Sequence, residues 1–199
     1  MILPILAYGH PLLRSASAAV DPQSPPVTLL LNMWDTMQQA NGCGLAACQV
    51  GVPLQLFIVD SRTTFEHMTP EERTAYFDEG DKGIRETFIN AVITGFSESG
   101  WQDEEGCLSI PGLQQPVQRS WGIAIHYLDA GMQPQVKYYT GLTARMIQHE
   151  YDHTKGILYP DRITPLARRL LQPKLKKIMN GKVKAAYKLL LPGDRPGNR

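Results

Sequence analysis

Apolar residues recur at helical spacing over residues 27–40, at Val27, Leu30, Leu31 and Trp34, and predict an amphipathic helix. Pro26 sits at its start and Asn41-Gly42 stops it. The pattern then changes: Gly42-Cys43-Gly44-Leu45-Ala46-Ala47-Cys48-Gln49 is built of small residues and matches neither a helix nor a strand period. Leu56-Phe57-Ile58-Val59 is a continuous β-rich apolar run and reads as a buried strand. Residues 61–85 are polar and lean acidic, and read as a surface loop with one helical turn after Thr69-Pro70. Residues 88–94, 122–127 and 135–139 read as strands, with Asp129-Ala130-Gly131 turning between the last two. Helical patterns follow at 143–155, stopped by Gly156, and at 165–179, where Leu166, Leu170 and Leu171 have helical spacing. The first stretch, to about Pro26, is rich in Pro, Ser and Ala and is expected to wrap the surface, and residues 192–199 to form a frayed tail.

Runs of strands followed by a helix point to an α+β fold: mostly antiparallel strands packed around a central helix, with a C-terminal helix. The length, 199 residues, suits one domain with an appendage, here a unit of residues 1–164 and a basic helix and tail of residues 165–199. At 43% hydrophobic and 20% charged the composition is that of an ordinary globular protein. A net charge of +1 gives no case for a nucleic-acid site. No apolar run approaches the ~18 residues of a membrane span, and the N-terminus lacks the marks of a signal peptide. Three cysteines, an odd number, point to a reduced compartment, so a cytoplasmic protein is expected.

The chemistry is concentrated in Gln148-His149-Glu150-Tyr151-Asp152-His153. His-Glu-x-x-His on a helix sets two imidazoles one turn apart with a carboxylate beside them, an arrangement that holds a divalent metal from one side. At 100° per residue Leu142, Met146, His149 and His153 fall within roughly 60° of one another, so both histidines extend the buried stripe, and Glu150 lies about a quarter-turn to the side. A third ligand is required. Cys107 in Glu104-Glu105-Gly106-Cys107-Leu108-Ser109 is the candidate, and a Cys-His-His set would leave a fourth position open. The competing reading of Cys107 is a small buried hydrophobe, and Cys43 and Cys48, among Gly and Ala, fit packing better than ligation. His10, His67 and His126 have no metal-like spacing. Carbonyl hydrolysis also needs donors for the developing oxyanion. The side-chain amide of Gln49 and the backbone N–H of Leu108 are the candidates, although Gln49 equally suits a structural bond to nearby backbone.

Three segments together resemble the peptide deformylase family. Gly42-Cys43-Gly44-Leu45-Ala46-Ala47-Cys48-Gln49 matches its G-x-G-L-A-A-x-Q, Glu105-Gly106-Cys107-Leu108-Ser109 its E-G-C-L-S, and Gln148 to His153 its Q-H-E-x-D-H. Weaker similarity runs from Tyr8-Gly9-His10-Pro11-Leu12-Leu13-Arg14 to about Arg162. The resemblance implies Cys107, His149 and His153 as metal ligands, Glu150 as general base and acid, and Gln49 with the Leu108 N–H as oxyanion stabilisers. It implies an N-formylmethionyl peptide substrate whose backbone pairs with the segments of Gly44 and Gly106 and whose methionine enters an apolar pocket near Leu142 and Met146, with Cys43 at the entrance. It also implies ferrous iron as the native ion, with zinc, nickel or cobalt as alternatives, and gives Arg119 a loose match to a basic position. Thr154 and Ala91 depart from the residues usual in the family, leucine and proline. The cationic C-terminal helix invites transient ribosome contact, against a plain solvated amphipathic helix. A metallopeptidase built on the same helix motif is the rival enzyme, and a non-catalytic structural metal module the rival from another class.

Overall fold

The structure, a computed structural model, describes residues 1–194. In chain order it contains β1 (Ile5–Leu6), α1 (Val27–Gln39), β2 (Gly44–Ala46), β3 (Leu56–Asp60), α2 (Ser61–His67), α3 (Pro70–Tyr76), β4 (Arg85–Phe96), β5 (Gly100–Cys107), β6 (Ile110–Ser120), β7 (Gly122–Leu128), β8 (Pro134–Thr140), α4 (Gly141–Thr154), α5 (Pro165–Met179) and β9 (Leu189–Leu190). Strands β2-β3-β4-β7-β8 form an antiparallel sheet in that order, β5 and β6 form a separate hairpin, and β1 pairs in parallel with β9. The fold is α+β with antiparallel strands around the central helix α4.

Strand β3 shows how the sheet sits between two cores. Phe57 and Val59 pack with Ala144, Met146 and Ile147 of α4, while Leu56 and Ile58 pack with Leu30, Met33 and Met37 of α1. Both faces are covered, so this strand reads as an unbroken apolar run. A third cluster joins Leu171, Leu175 and Ile178 of α5 to Leu6, Ala7, Leu13, Ile110 and Val117. The periodic leucines of α5 thus divide: Leu171 faces the body, whereas Leu166 and Leu170 face solvent.

Several expectations need correction. The N-terminal stretch does not merely wrap the surface, since Ile5, Leu6, Ala7 and Leu13 are fully buried. Residues 61–85 are more helical than a loop with one turn: the turn expected after Thr69-Pro70 is the start of α3, and α2 precedes it. Asp60 accepts from the Thr63 N–H (2.9 Å) at the start of α2. Thr69 and Glu72 close a reciprocal capping box at the start of α3. The two helices are joined by an edge-on Phe65–Phe77 contact. The small-residue segment splits into β2 and a short 3₁₀ turn, Ala47–Val50. Cys107 lies at the end of β5. In the expected tail, Asp194 N–H donates to the Leu191 carbonyl (2.9 Å) and Leu191 N–H to Asp194 Oδ2 (2.7 Å), and residues 195–199 lie outside the described residues.

Helix α4 ends as its sequence indicates. Gly156 has φ +71°, and a Cβ there would come within 2.6 Å of the Arg14 carbonyl oxygen. The two positions that depart from family usage are accommodated: Ala91 belongs to the core cluster, and buried Thr154 donates to the Tyr151 carbonyl (2.7 Å). Because α5 is held by one face, Leu175→Ala should lower stability by about 2–5 kcal/mol in urea unfolding. Leu170→Ala, on the 70% exposed side, should change it by about 0.5 kcal/mol or less. Equal effects would contradict the packing of that helix.

Candidate active site

Helix α4 is buried along almost its whole length, charged residues included: Arg145, His149, Glu150, Asp152 and His153 all lie inside the protein. The β5–β6 hairpin supplies the matching partners. Arg119 on β6 makes two bonds to Glu105 on β5, both 2.9 Å, and a third to Asp152 Oδ2 of α4 at 2.6 Å. Arg145 of α4 donates to Glu105 Oε1 (2.7 Å) and to the carbonyls of Val117 (2.9 Å) and Trp101 (2.8 Å). Arg162, after the helix, adds a bond to Asp152 at 3.0 Å. This network clamps the hairpin onto the helix and brings Cys107 to the histidines.

Cys107, His149 and His153 offer ligand atoms that all lie within 4.8 Å of one another, and Cys107 Sγ is 3.3 Å from His153 Nε2. The His149 Nδ1–H donates to Glu105 Oε2 (3.0 Å), which orients the ring and leaves its other nitrogen for the cluster. His153 Nδ1 and Glu150 Oε2 are buried without a hydrogen-bond partner. A sulfur and two imidazoles at this spacing fit a single divalent transition-metal ion, and the unpartnered Glu150 oxygen fits a site built to receive a polar guest.

Burial works to raise the Glu105 carboxyl, but the bonds from His149 and Arg119 overcome it and hold the group well below the usual carboxylate range. For His149 burial opposes the charge, and the Cys107 and Glu105 partners outweigh it, so the shift is upward. For Glu150 burial dominates and pushes the carboxyl up to about 7. A cation on the neighbouring ligands would draw it back down.

The space beside these groups is a surface cleft of about 770 Å³. It is lined by Cys43, Gly44, Gln49, Gly106, Cys107, Leu108, Leu142, Met146, His149 and Glu150, which brings together the residues singled out from the sequence apart from fully enclosed His153. Gly44 in β2 passes directly over Glu150. A Cβ at position 44 would sit 2.4 Å from Glu150 Oε1, so only glycine leaves that carboxylate in place. Gln49 Oε1 accepts from the Ala46 N–H (2.8 Å), which turns its NH₂ toward Ser109 Oγ (3.2 Å) and Cys107 Sγ (3.5 Å).

The other sulfurs and imidazoles stand apart. Cys48 donates to the His153 carbonyl (3.4 Å), with its thiol pushed up to about 12 by burial, so it stays neutral and packs. His10 caps a 3₁₀ turn by accepting from the Leu12 N–H (3.3 Å), and His67 and His126 are exposed. Sequence reasoning gave no role to Glu105, Asp152, Arg145 or Ser109, although all but Arg145 stand inside the motifs. For the three charged ones the signal was charge next to residues that must be buried.

A sulfur and two imidazoles beside a carboxylate, at the floor of a cleft, define a hydrolase-type centre. The comparisons place it more closely. The polypeptide deformylase family description matches residues 2–169. The peptide deformylase of Christiangramia forsetii is 41% identical over 98% of both chains, and that of Flavobacterium johnsoniae 40% over 99% of this chain and 100% of the other. Among solved structures, a peptide deformylase from Ehrlichia chaffeensis superposes with TM-score 0.77 at 28% identity, covering 92% of this chain and 98% of that one. A Met-Ala-Ser-bound class I type b enzyme from Acinetobacter baumannii superposes with TM-score 0.71 at 29% identity, covering 82% and 99%. The chain belongs to the peptide deformylase family.

Because Arg119 is enclosed by Glu105 and Asp152, Arg119→Ala leaves both carboxylates buried and should cost about 3–5 kcal/mol of stability in urea unfolding. Arg119→Lys should recover only part, since an ammonium cannot make the two-pronged bond. A loss under about 1 kcal/mol for the alanine variant would show that the clamp is not what joins hairpin and helix.

Proposed function

We propose that this protein hydrolyses the formyl group from the N-terminal formylmethionine of newly made polypeptides and releases formate. The observation that carries this reading is the clustering of Cys107, His149 and His153 at a cleft that Cys107, His149, Glu150 and Gln49 line, in a member of this family. Cys107, His149 and His153 would hold a divalent ion, ferrous iron by family resemblance, with zinc, nickel or cobalt as alternatives. When bound, such an ion supplies Lewis acidity and lowers the pKa of water.

The chain's own groups carry the protons and the charge. Glu150, with its carboxylate over the cleft, takes the proton of the attacking water and later delivers it to the departing amine. The formyl carbon passes through a tetrahedral state whose oxyanion is met by the Gln49 NH₂ and the Leu108 N–H. The Gln49 amide suits this role because its oxygen is already held by Ala46, so its hydrogens face the sulfur side of the cleft. Leu142 and Met146 form an apolar wall for the methionine side chain, Gly44 and Gly106 offer backbone to an extended peptide, and Cys43 stands exposed at the rim.

Residues 1–164 carry the chemistry in this reading, and α5 is docked onto them by its apolar face. No helix among the described residues is long and apolar enough to cross a membrane, and we place the enzyme in the cytoplasm, where it would meet emerging chains. Transient ribosome contact would use the outward basic residues Arg169, Lys174, Lys176 and Lys177 of α5. No site for nucleic acid is proposed.

Formate should appear from formyl-Met-Ala-Ser and not from its acetylated or free counterparts, whereas cleavage at internal bonds would favour a metallopeptidase. Glu150→Ala should lower turnover by about 10²–10⁴-fold, and an active variant would rule out the proton transfer assigned to that residue. Chelation should abolish formate release and added divalent metal restore it. Cys107→Ser should change the metal content or preference of protein prepared without oxygen, and wild-type values for both would mean that the third ligand is another group.

A further inference from the structure

Past α5, and past the residues matched by the family description, the chain returns to the cleft. Lys184, Ala185, Ala186 and Tyr187 form part of its lining. The return is anchored by the pairing of Leu189 and Leu190 with Ile5 and Leu6. Ile5 N–H donates to the Lys188 carbonyl (2.9 Å) and Ala7 N–H to the Leu190 carbonyl (2.8 Å). The two terminal segments therefore run side by side next to the turn that joins β5 to β6.

Each segment grips one carbonyl of that turn. Cys107 pairs with Ile110, so the turn consists of Leu108 and Ser109 alone. The Tyr187 hydroxyl donates to the Leu108 carbonyl at 2.7 Å, and the Tyr8 N–H donates to the Ser109 carbonyl at 2.8 Å. Tyr187 and Leu108 also pack against the same apolar cluster. A turn of two residues has few free dihedrals, and its peptide planes are rigid. Holding the Leu108 carbonyl restricts rotation at Leu108 and thereby the direction of the N–H on the other side of its Cα.

We propose that Tyr187 is a positioning residue for deformylation: its hydroxyl fixes the Leu108 backbone so that the Leu108 N–H points at the oxyanion. This rests on the oxyanion role given above to Leu108. The C-terminal return is then part of the reaction's machinery, acting from outside the region that carries the three motifs.

The test is steady-state kinetics of full-length Tyr187→Phe, purified without oxygen, on formyl-Met-Ala-Ser, with metal content and urea midpoint measured on the same sample. The ring stays and one hydrogen bond goes, so kcat should fall about 3- to 10-fold. KM should stay within about twofold, because ground-state binding is untouched. Metal content should match wild type. An unchanged kcat, or a change in KM alone, would overturn the proposal, as would a fall in kcat that disappears when metal is restored to saturation. Gln49→Ala, run in parallel, separates this from the oxyanion reading itself. If it loses about 10²-fold or more while Tyr187→Phe is silent, only the Tyr187 role is wrong. If both variants are as active as wild type, the oxyanion assignment falls and the Tyr187 proposal falls with it.

Discussion

A helix that is buried on nearly every side and yet carries Arg145, His149, Glu150, Asp152 and His153 must find partners for its charges within the protein. The β5–β6 hairpin answers that need. Glu105 takes Arg145, Arg119 and His149, and Arg119 takes Asp152. The exchange of charge sets how the hairpin lies on the helix, and that placement brings the sulfur of Cys107 within reach of two imidazoles. A buried ion-pair network adds little net stability over a packed apolar one, but losing one member is costly. Its value here is one of position: it fixes a geometry that apolar packing, which is less directional, would leave looser.

The polar atoms that the network leaves over are the informative ones. Glu150 Oε2 and His153 Nδ1 are buried and unpartnered while their neighbours are heavily bonded. In the interior such an atom is expensive unless a ligand, an ion or water completes it. The same economy of space appears at Gly44, where the backbone runs so close to Glu150 that no side chain fits. Strand β2, helix α4 and the hairpin thus meet at a carboxylate and a sulfur, and the terminal segments hold the turn between β5 and β6.

How much of this was legible in the sequence depended on what carried the pattern. Helices α1, α4 and α5 announced themselves through apolar periodicity and strand β3 through an unbroken apolar run, because apolar side chains do much of their packing. The β5–β6 hairpin did not, because two of its inward positions are Glu105 and Arg119, which a hydrophobic pattern counts as solvent-facing. Helices α2 and α3 are short and set by their caps: Thr69-Pro70 marked the start of α3, but the acidic composition of the segment hid Asp60 as the start of α2. The metal-ligand candidates were legible as residue types at motif spacing. Their partners were not, since Glu105 and Arg145 gain meaning only once the hairpin and helix are in contact. Tyr187 was invisible for a different reason: it lies 79 residues from Leu108, and no local pattern links them.

The active site depends on one sulfur and two nitrogens sharing a single cation. X-ray absorption at the zinc edge of protein loaded with one equivalent of zinc tests this most directly. One sulfur at about 2.3 Å and two imidazole nitrogens at about 2.0–2.1 Å are expected, with the sulfur signal absent from Cys107→Ser. A first shell of nitrogen and oxygen only in the unaltered protein would contradict it.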